Sequence, residues 1–217
     1  MVATTVKLDK RGIPHIVLCG DIGEPANIMA ALSKKKVDLA KTLHVRSFLD
    51  HARPYISPTV RLSEDSPTGK YAKTQLTGFV HLDKHGVPIT ALEMFASLVE
   101  HFVRWGDALQ GSFGLCMLEE MMLNITTTKK FFHDSASFHC DIVQCLSRQY
   151  MTPPSAFAMA AGMAGLFPAS YSSLQTYPEK AKYCRTINQH LVKRPFTVRL
   201  AELSDLPSLT RLEDIAW

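Results

Sequence analysis

The sequence predicts an α/β protein whose largely parallel sheet is buried between helices. Three observations predict it: a short run apolar on both faces at residues 16–19 (IVLC) with further short buried strands at 43–48 and 113–118, amphipathic helical segments between them, and a strand, helix, strand order across residues 13–48. With 46% hydrophobic residues in 217, the chain can bury a core. Its 24 Lys and Arg against 20 Asp and Glu are scattered apart from Lys34, Lys35 and Lys36, which excludes a nucleic-acid surface. No apolar run reaches the roughly 18 residues of a spanning helix, and MVATTVKLDKRG has no signal-like apolar region, so the expectation is no membrane and a cytoplasmic location. Cys19, Cys116, Cys140, Cys145 and Cys184 form an odd set with no CxxC spacing, which reads as reduced, mostly buried thiols.

Taken in order, VKLDKRGIPHIVLCGDI reads as a strand, a tight turn at DKRG and a second, buried strand. A helix follows in GEPANIMAALSKKKVD, with Glu24 and Pro25 suited to its first turn. TLHVRSFLDH is the next strand, and the pair predicts a right-handed parallel crossover. Residues 52–73, rich in Pro, Ser, Thr and Gly, read as a long surface loop. The nine residues VKLDKRGIP then recur as VHLDKHGVP at 80–88, identical at six positions; what they share is turn chemistry, Asp and Lys ahead of a Gly able to take positive φ. Thr90, with Glu93 three residues on, predicts a capping box opening the helix ALEMFASLVEHFVRWGDAL. FGLCML is a third buried strand ending at Glu119 and Glu120, and AFAMAAGMAGL is a helix whose small residues permit close packing. Residues 170–195 read as linker plus a helix over roughly 179–192, and 196–200 as a strand before a final amphipathic helix.

Several side chains carry chemistry. Asp21 follows a predicted strand at the carboxyl end of the sheet, where open α/β sheets bind ligands and where a carboxylate could accept from an adenine amine or a ribose hydroxyl. The plainer reading is a helix cap, and GDIGEP is not the Gly-rich turn a nucleotide site needs. Arg46, Asp50, His51 and Arg53 crowd the end of the second strand as an active-site rim or an ion-pair network. Glu119 and Glu120 are adjacent on a strand, so they face opposite ways and at most one serves a given site. His133, Asp134, His139, Cys140 and Asp141 have metal-ligand types but no zinc-finger, zincin or EF-hand spacing.

These segments in this order resemble the C-terminal half of the metal-dependent S-adenosylmethionine methyltransferases in loading modules of modular type I polyketide synthases. HIVLCGDIGEP, TLHVRSFLDHARPYISP, LVEHFVRW, GLCMLEE, SFHCD and MAAGMAGLFP carry the resemblance, which covers residues 13–168; RSFLDHxRPY is its most specific block. It implies that Asp21 is a vestigial adenine-side position. It also implies an incomplete Rossmann-like methyltransferase sheet, since family members place two strands and a Gly-rich methionine-binding turn ahead of CGDIGEP, and this chain begins at Met1. Where the family reads like HGLxxLExH, this sequence has Ser112-Phe113-Gly114-Leu115 and Glu119-Glu120-Met121; the SxHxDxYH-like block keeps His139 and Asp141 but has Val143 and Gln144 after them. His139 and Asp141 are then the relic of a metal site. FTVRLAELSDLPSLTRLEDIAW resembles the first strand and helix of a GNAT-type domain, without an acyl-CoA pyrophosphate loop.

The resemblance divides the chain into a truncated methyltransferase-like adapter (1–168), a linker with one helix (169–195) and the start of a GNAT-like domain (196–217). It implies a non-catalytic adapter like that preceding the GNAT-like decarboxylase of curacin-type loading modules, with that domain and an acyl carrier protein as partners and no cofactor. The rival is a residual methyltransferase using S-adenosylmethionine and iron or manganese on a carrier-bound malonyl group. A third reading is a docking platform at a strand edge left unpaired.

Overall fold

The computed structural model describes residues 2–109, 111–133, 143–144, 146–170, 173–177, 185–205 and 208. The chain opens with a helix, α1 (Val2–Asp9), rather than the expected strand. DKRG closes that helix: the Ile13 N–H reaches the Leu8 carbonyl (3.1 Å), the Gly12 N–H reaches Asp9 (3.0 Å), and Gly12 takes φ +61°. Residues 13–20 then run on outside any sheet, with Ile16 and Leu18 exposed. An apolar run becomes a strand only where a neighbour completes its ladder, and no described strand lies beside this one. The expected crossover between residues 13 and 48 is therefore not formed.

The helix α2 (Pro25–Lys34) starts on its proline and buries Met29. After a 3-10 turn (Leu39–Lys41) comes β1 (Leu43–Ser47). The predicted loop at 52–73 is corrected at its end, where Ser66 caps α3 (Pro67–Leu76) by accepting the Gly69 N–H at 3.0 Å. Gly69 sits against the 63–64 backbone so closely that a Cβ would lie 2.0 Å from the Ser63 carbonyl oxygen. The second copy of the repeat is a hairpin of β2 (His81–Leu82) and β3 (Pro88–Ile89). The capping box at Thr90 and Glu93 opens α4 (Ala91–Ala108) as predicted, and β4 (Gly114–Glu120), α5 (Ile125–Phe131), α6 (Pro154–Met163), β5 (Leu166–Pro168), β6 (Leu174–Tyr177), β7 (Thr186–Lys193) and a 3-10 turn (Leu203–Asp205) follow.

β7 corrects the expected linker helix: Ile187, Gln189 and Leu191 alternate into the interior, a period of two that belongs to a strand. The sheet runs β1-β4-β7, with β5 and β6 both on the far edge of β7. Only β1 and β4 are parallel; every other described pairing is antiparallel, so the sheet is mixed rather than largely parallel. Residues 196–200 join no strand, and Arg199 instead forks onto Asp205. The chain after residue 205, except residue 208, lies outside the described residues, as do residues 178–184.

Helices cover one face of the sheet. Phe95, Leu98, Phe102 and Trp105 of α4 pack with Phe157 and the alanines of α6 onto Leu115, Met117 and Leu191. Phe102 meets Phe157 edge to face at 4.9 Å between centroids, a preferred aromatic geometry. The other face of β1 is open, with Val45 70% exposed and Leu43 45%. The burial expected of this strand does not hold on that face. Cys19 is exposed and Cys116 half-buried, so the expectation of mostly buried thiols fails at Cys19. Among the described residues no helix is long and apolar enough to cross a membrane.

Candidate functional site

The site forms where β1 and β4 end side by side. Phe48 extends the ladder, its N–H donating to the Leu118 carbonyl at 2.7 Å, and its φ of +54° then turns the chain inward. A bulky residue in this region is strained, and strain held in place by its surroundings marks positions worth functional attention. The turn delivers Asp50, 1% exposed, beneath the sheet. Arg46 lies on the buried face of β1, 3.1 Å from Asp50 Oδ1, with its guanidinium 4.2 Å over the Trp105 ring. From α4, His101 Nε2 approaches the same oxygen at 2.9 Å.

Glu119 binds the other side of this turn. Its Oε2 accepts the Asp50 N–H at 2.7 Å, and its Oε1 accepts His51 Nδ1–H at 2.5 Å and the Glu120 N–H at 2.8 Å. Arg53 Nη1 donates to the carbonyls of Asp50 (2.9 Å) and Tyr150 (3.2 Å), tying the segment before α6 to the turn. Glu120 points the opposite way and pairs with Arg185 at 3.1 Å, as alternation along a strand requires.

Burial raises the Asp50 carboxyl, but Arg46, His101 and Arg53 outweigh it and hold the group below the usual carboxylate range. Burial pushes His101 down to about 4, so its imidazole is neutral at pH 7 and donates from Nε2. The hydrogen bond to Glu119 raises His51, while burial takes Arg53 down to about 10. Asp50 Oδ2, His101 Nδ1 and Arg53 Nη2 are buried without hydrogen-bond partners. Deleting one member of such a cluster strands its partner's charge, at a cost of about 3–5 kcal/mol.

The structure thus brings together Arg46, Asp50, His51, Arg53 and Glu119 from the sequence candidates and separates Glu120 from them. Asp21 is exposed, and its Oδ1 accepts the Gly23 N–H at 2.7 Å, so its carboxylate closes a local turn just before α2 rather than capping the helix directly. The neighbouring Ile22 and Gly23 carbonyls accept from Trp105 Nε1 and Arg104 Nε, each at 2.9 Å, which fastens this turn to α4. His133 is exposed; Asp134, His139, Cys140 and Asp141 lie outside the described residues. His101, Trp105 and Tyr150 were missed. The signal for His101 was present, a polar residue inside the apolar stripe of α4, whereas Tyr150 reaches Arg53 only through tertiary folding.

Among the described residues no three His, Cys, Asp or Glu side chains converge as metal ligands. The donor set does not suit a metal, because Asp50 Oδ1 and both Glu119 oxygens already accept from Arg46, His101, His51 and backbone N–H groups, and Asp50 Oδ2 alone is too few ligands. Compared with known families, residues 1–189 match the model described as the AprA MT2-like domain, a methyltransferase family. No curated protein matches the chain.

Proposed function

The chain belongs to the AprA MT2-like domain family, and on that premise we propose that it is a methyltransferase-like adapter with no methyl-transfer chemistry of its own. It works in the cytoplasm, in a type I polyketide synthase loading module. There it supports an adjacent GNAT-like decarboxylase that passes an acetyl starter to an acyl carrier protein.

The observation that carries this reading is the state of the strand ends. Asp50 is engaged by Arg46 and His101, Glu119 by His51, and Asp21 by its own turn. Carboxylate oxygens committed to internal partners brace the fold rather than hold a nucleoside or a metal. The open face of β1 adds support, since Val45 and Leu43 offer apolar surface to a neighbour. Isothermal titration with S-adenosylmethionine is expected to show no binding. Deleting residues 1–168 from the full synthase polypeptide is expected to lower the solubility or loading activity of the downstream domain. Unchanged solubility and loading after the deletion defeat the adapter role.

One observation favours the rival, a surviving S-adenosylmethionine- and metal-dependent methyltransferase: an imidazole oriented by a buried carboxylate, as in His51 and Glu119, is how general bases are built. Methyl transfer to malonyl-carrier protein with stoichiometric iron or manganese decides for that reading.

A further inference from the structure

Beside the buried cluster lies a cleft of about 780 Å³ that neither reading above uses. Three segments far apart in sequence build it: residues 52–57 after the β1 turn, residues 83–85 at the tip of the β2–β3 hairpin, and residues 147–150. Its volume suits an organic ligand rather than a bare ion.

The charges lining it are unequal. Arg53, Lys84 and Arg148 contribute cations, with His85 beside them, against the single carboxylate of Asp83. That carboxylate is already committed, because Asp83 Oδ1 accepts the His85 and Val87 N–H groups, each at 2.8 Å. Arg53 is 3% exposed and carries a buried Nη2 with no hydrogen-bond partner. A desolvated guanidinium donor left open is expensive, and an anionic oxygen is its natural complement. Gln149, also lining the cleft, has a buried Oε1 without a donor, so a fitting ligand brings an N–H or O–H as well as an anion.

Arg148 stands where a glycine would be cheaper. The Gln149 N–H bonds back to the Gln144 carbonyl at 3.1 Å, and Arg148 sits inside that closing turn at φ +62°. The backbone bears this strain and in return places an exposed cation on the rim.

We propose that this cleft binds a phosphate monoester carried on a polar organic chain, its phosphate met by Arg53, Lys84 and Arg148 and an N–H or O–H of its chain donating to Gln149. A monoester matches the site because it offers several anionic oxygens to cations arriving from three segments.

Titration calorimetry on the full chain tests this with two probe pairs, 4′-phosphopantetheine against pantetheine and adenosine 5′-monophosphate against adenosine, with inorganic phosphate as a control. The expected result is saturable binding of at least one phosphorylated probe, with its dephosphorylated partner and inorganic phosphate each about tenfold weaker or more; the pair that responds identifies the source. Arg148→Gly removes the rim cation while relieving the backbone, so it is expected to weaken the responding probe about fivefold with a melting temperature unchanged or higher. No binding by either phosphorylated probe overturns the proposal, as does equal binding of the dephosphorylated forms or of inorganic phosphate. Undiminished affinity in Arg148→Gly overturns it too. None of these outcomes bears on the adapter reading, which rests on S-adenosylmethionine titration and domain deletion.

Discussion

Residues 6–14 and 80–88 share six of nine residues, and they end in different structures. In the first copy DKRG terminates α1, with the Ile13 and Arg11 N–H groups both turning back to the Leu8 carbonyl. In the second, Asp83 N–H pairs with the Val87 carbonyl at 2.9 Å and its carboxylate clamps the loop of a hairpin. Gly12 and Gly86 both take positive φ, so the turn chemistry is the same in each. What differs is the flanking pair. His81 and Ile89 face each other across the hairpin, and both are buried, His81 Nε2 donating to the Met151 carbonyl at 3.0 Å. The corresponding residues of the first copy are Lys7, which is exposed, and His15, which is half-buried. A local motif supplies a turn, and the residues on either side of it decide what the turn joins.

The strongest way to break this comparison is to exchange the flanking residues. His81→Lys buries an ammonium in place of a neutral imidazole beside the Met151 carbonyl, and a loss of about 3–5 kcal/mol in denaturant unfolding is expected. The reciprocal Lys7→His is expected to stay within about 0.5 kcal/mol, as surface changes do. A mild His81→Lys would mean that the hairpin is not anchored through this residue.

Acid titration sharpens the same point. Burial lowers His81 to about 4, as it does His101. Between about pH 6.5 and 4 the unfolded chain binds more protons than the folded one, so stability falls as the pH drops through that window, by at most about 1.4 kcal/mol per pH unit for each histidine. His51 acts with the opposite sign: its raised value contributes stability that is full below its unfolded pKa and is lost as pH rises through the folded one. Denaturant midpoints measured across this range are expected to show a shallower acid slope in His81→Gln, while Lys7→Gln leaves the slope unchanged.

A smaller difference is expected at the shared aspartate. Asp83→Ala frees two N–H groups and is expected to lower the denaturant midpoint measurably, while Asp9→Ala leaves global stability essentially unchanged. The smallest contrast concerns the glycines. A Cβ at Gly12 or Gly86 meets open space, so alanine adds only backbone strain of about 1 kcal/mol. In Gly86→Ala that cost lowers the melting temperature; in Gly12→Ala it appears as faster hydrogen exchange in α1 alone.

The candidate site was legible wherever chemistry is local. The crowding of Arg46, Asp50, His51 and Arg53 is visible in eight consecutive residues, and alternation along β4 separated Glu119 from Glu120 before any geometry was known. The positive φ of Phe48 was not legible, because nothing in its side chain asks for it; the ladder to Leu118 and the pull of Asp50 toward Arg46 impose it. β7 was misread for a related reason. TINQHLVK has no strong helical or strand signal of its own, and the free edge of β4 selects its period of two.

The sequence by itself determined the caps, the turns and the apolar faces, since Thr90 with Glu93, the glycines of the repeat and the stripe of α4 act through neighbours a few residues away. Only the tertiary structure decided which apolar runs became strands and which charges met. Residues 16–19 and 43–47 both read as buried strands in the sequence, yet only the second has β4 beside it to complete its hydrogen bonds. Strand pairing and charge burial depend on partners tens of residues away, and a partner's position is a property of the whole fold.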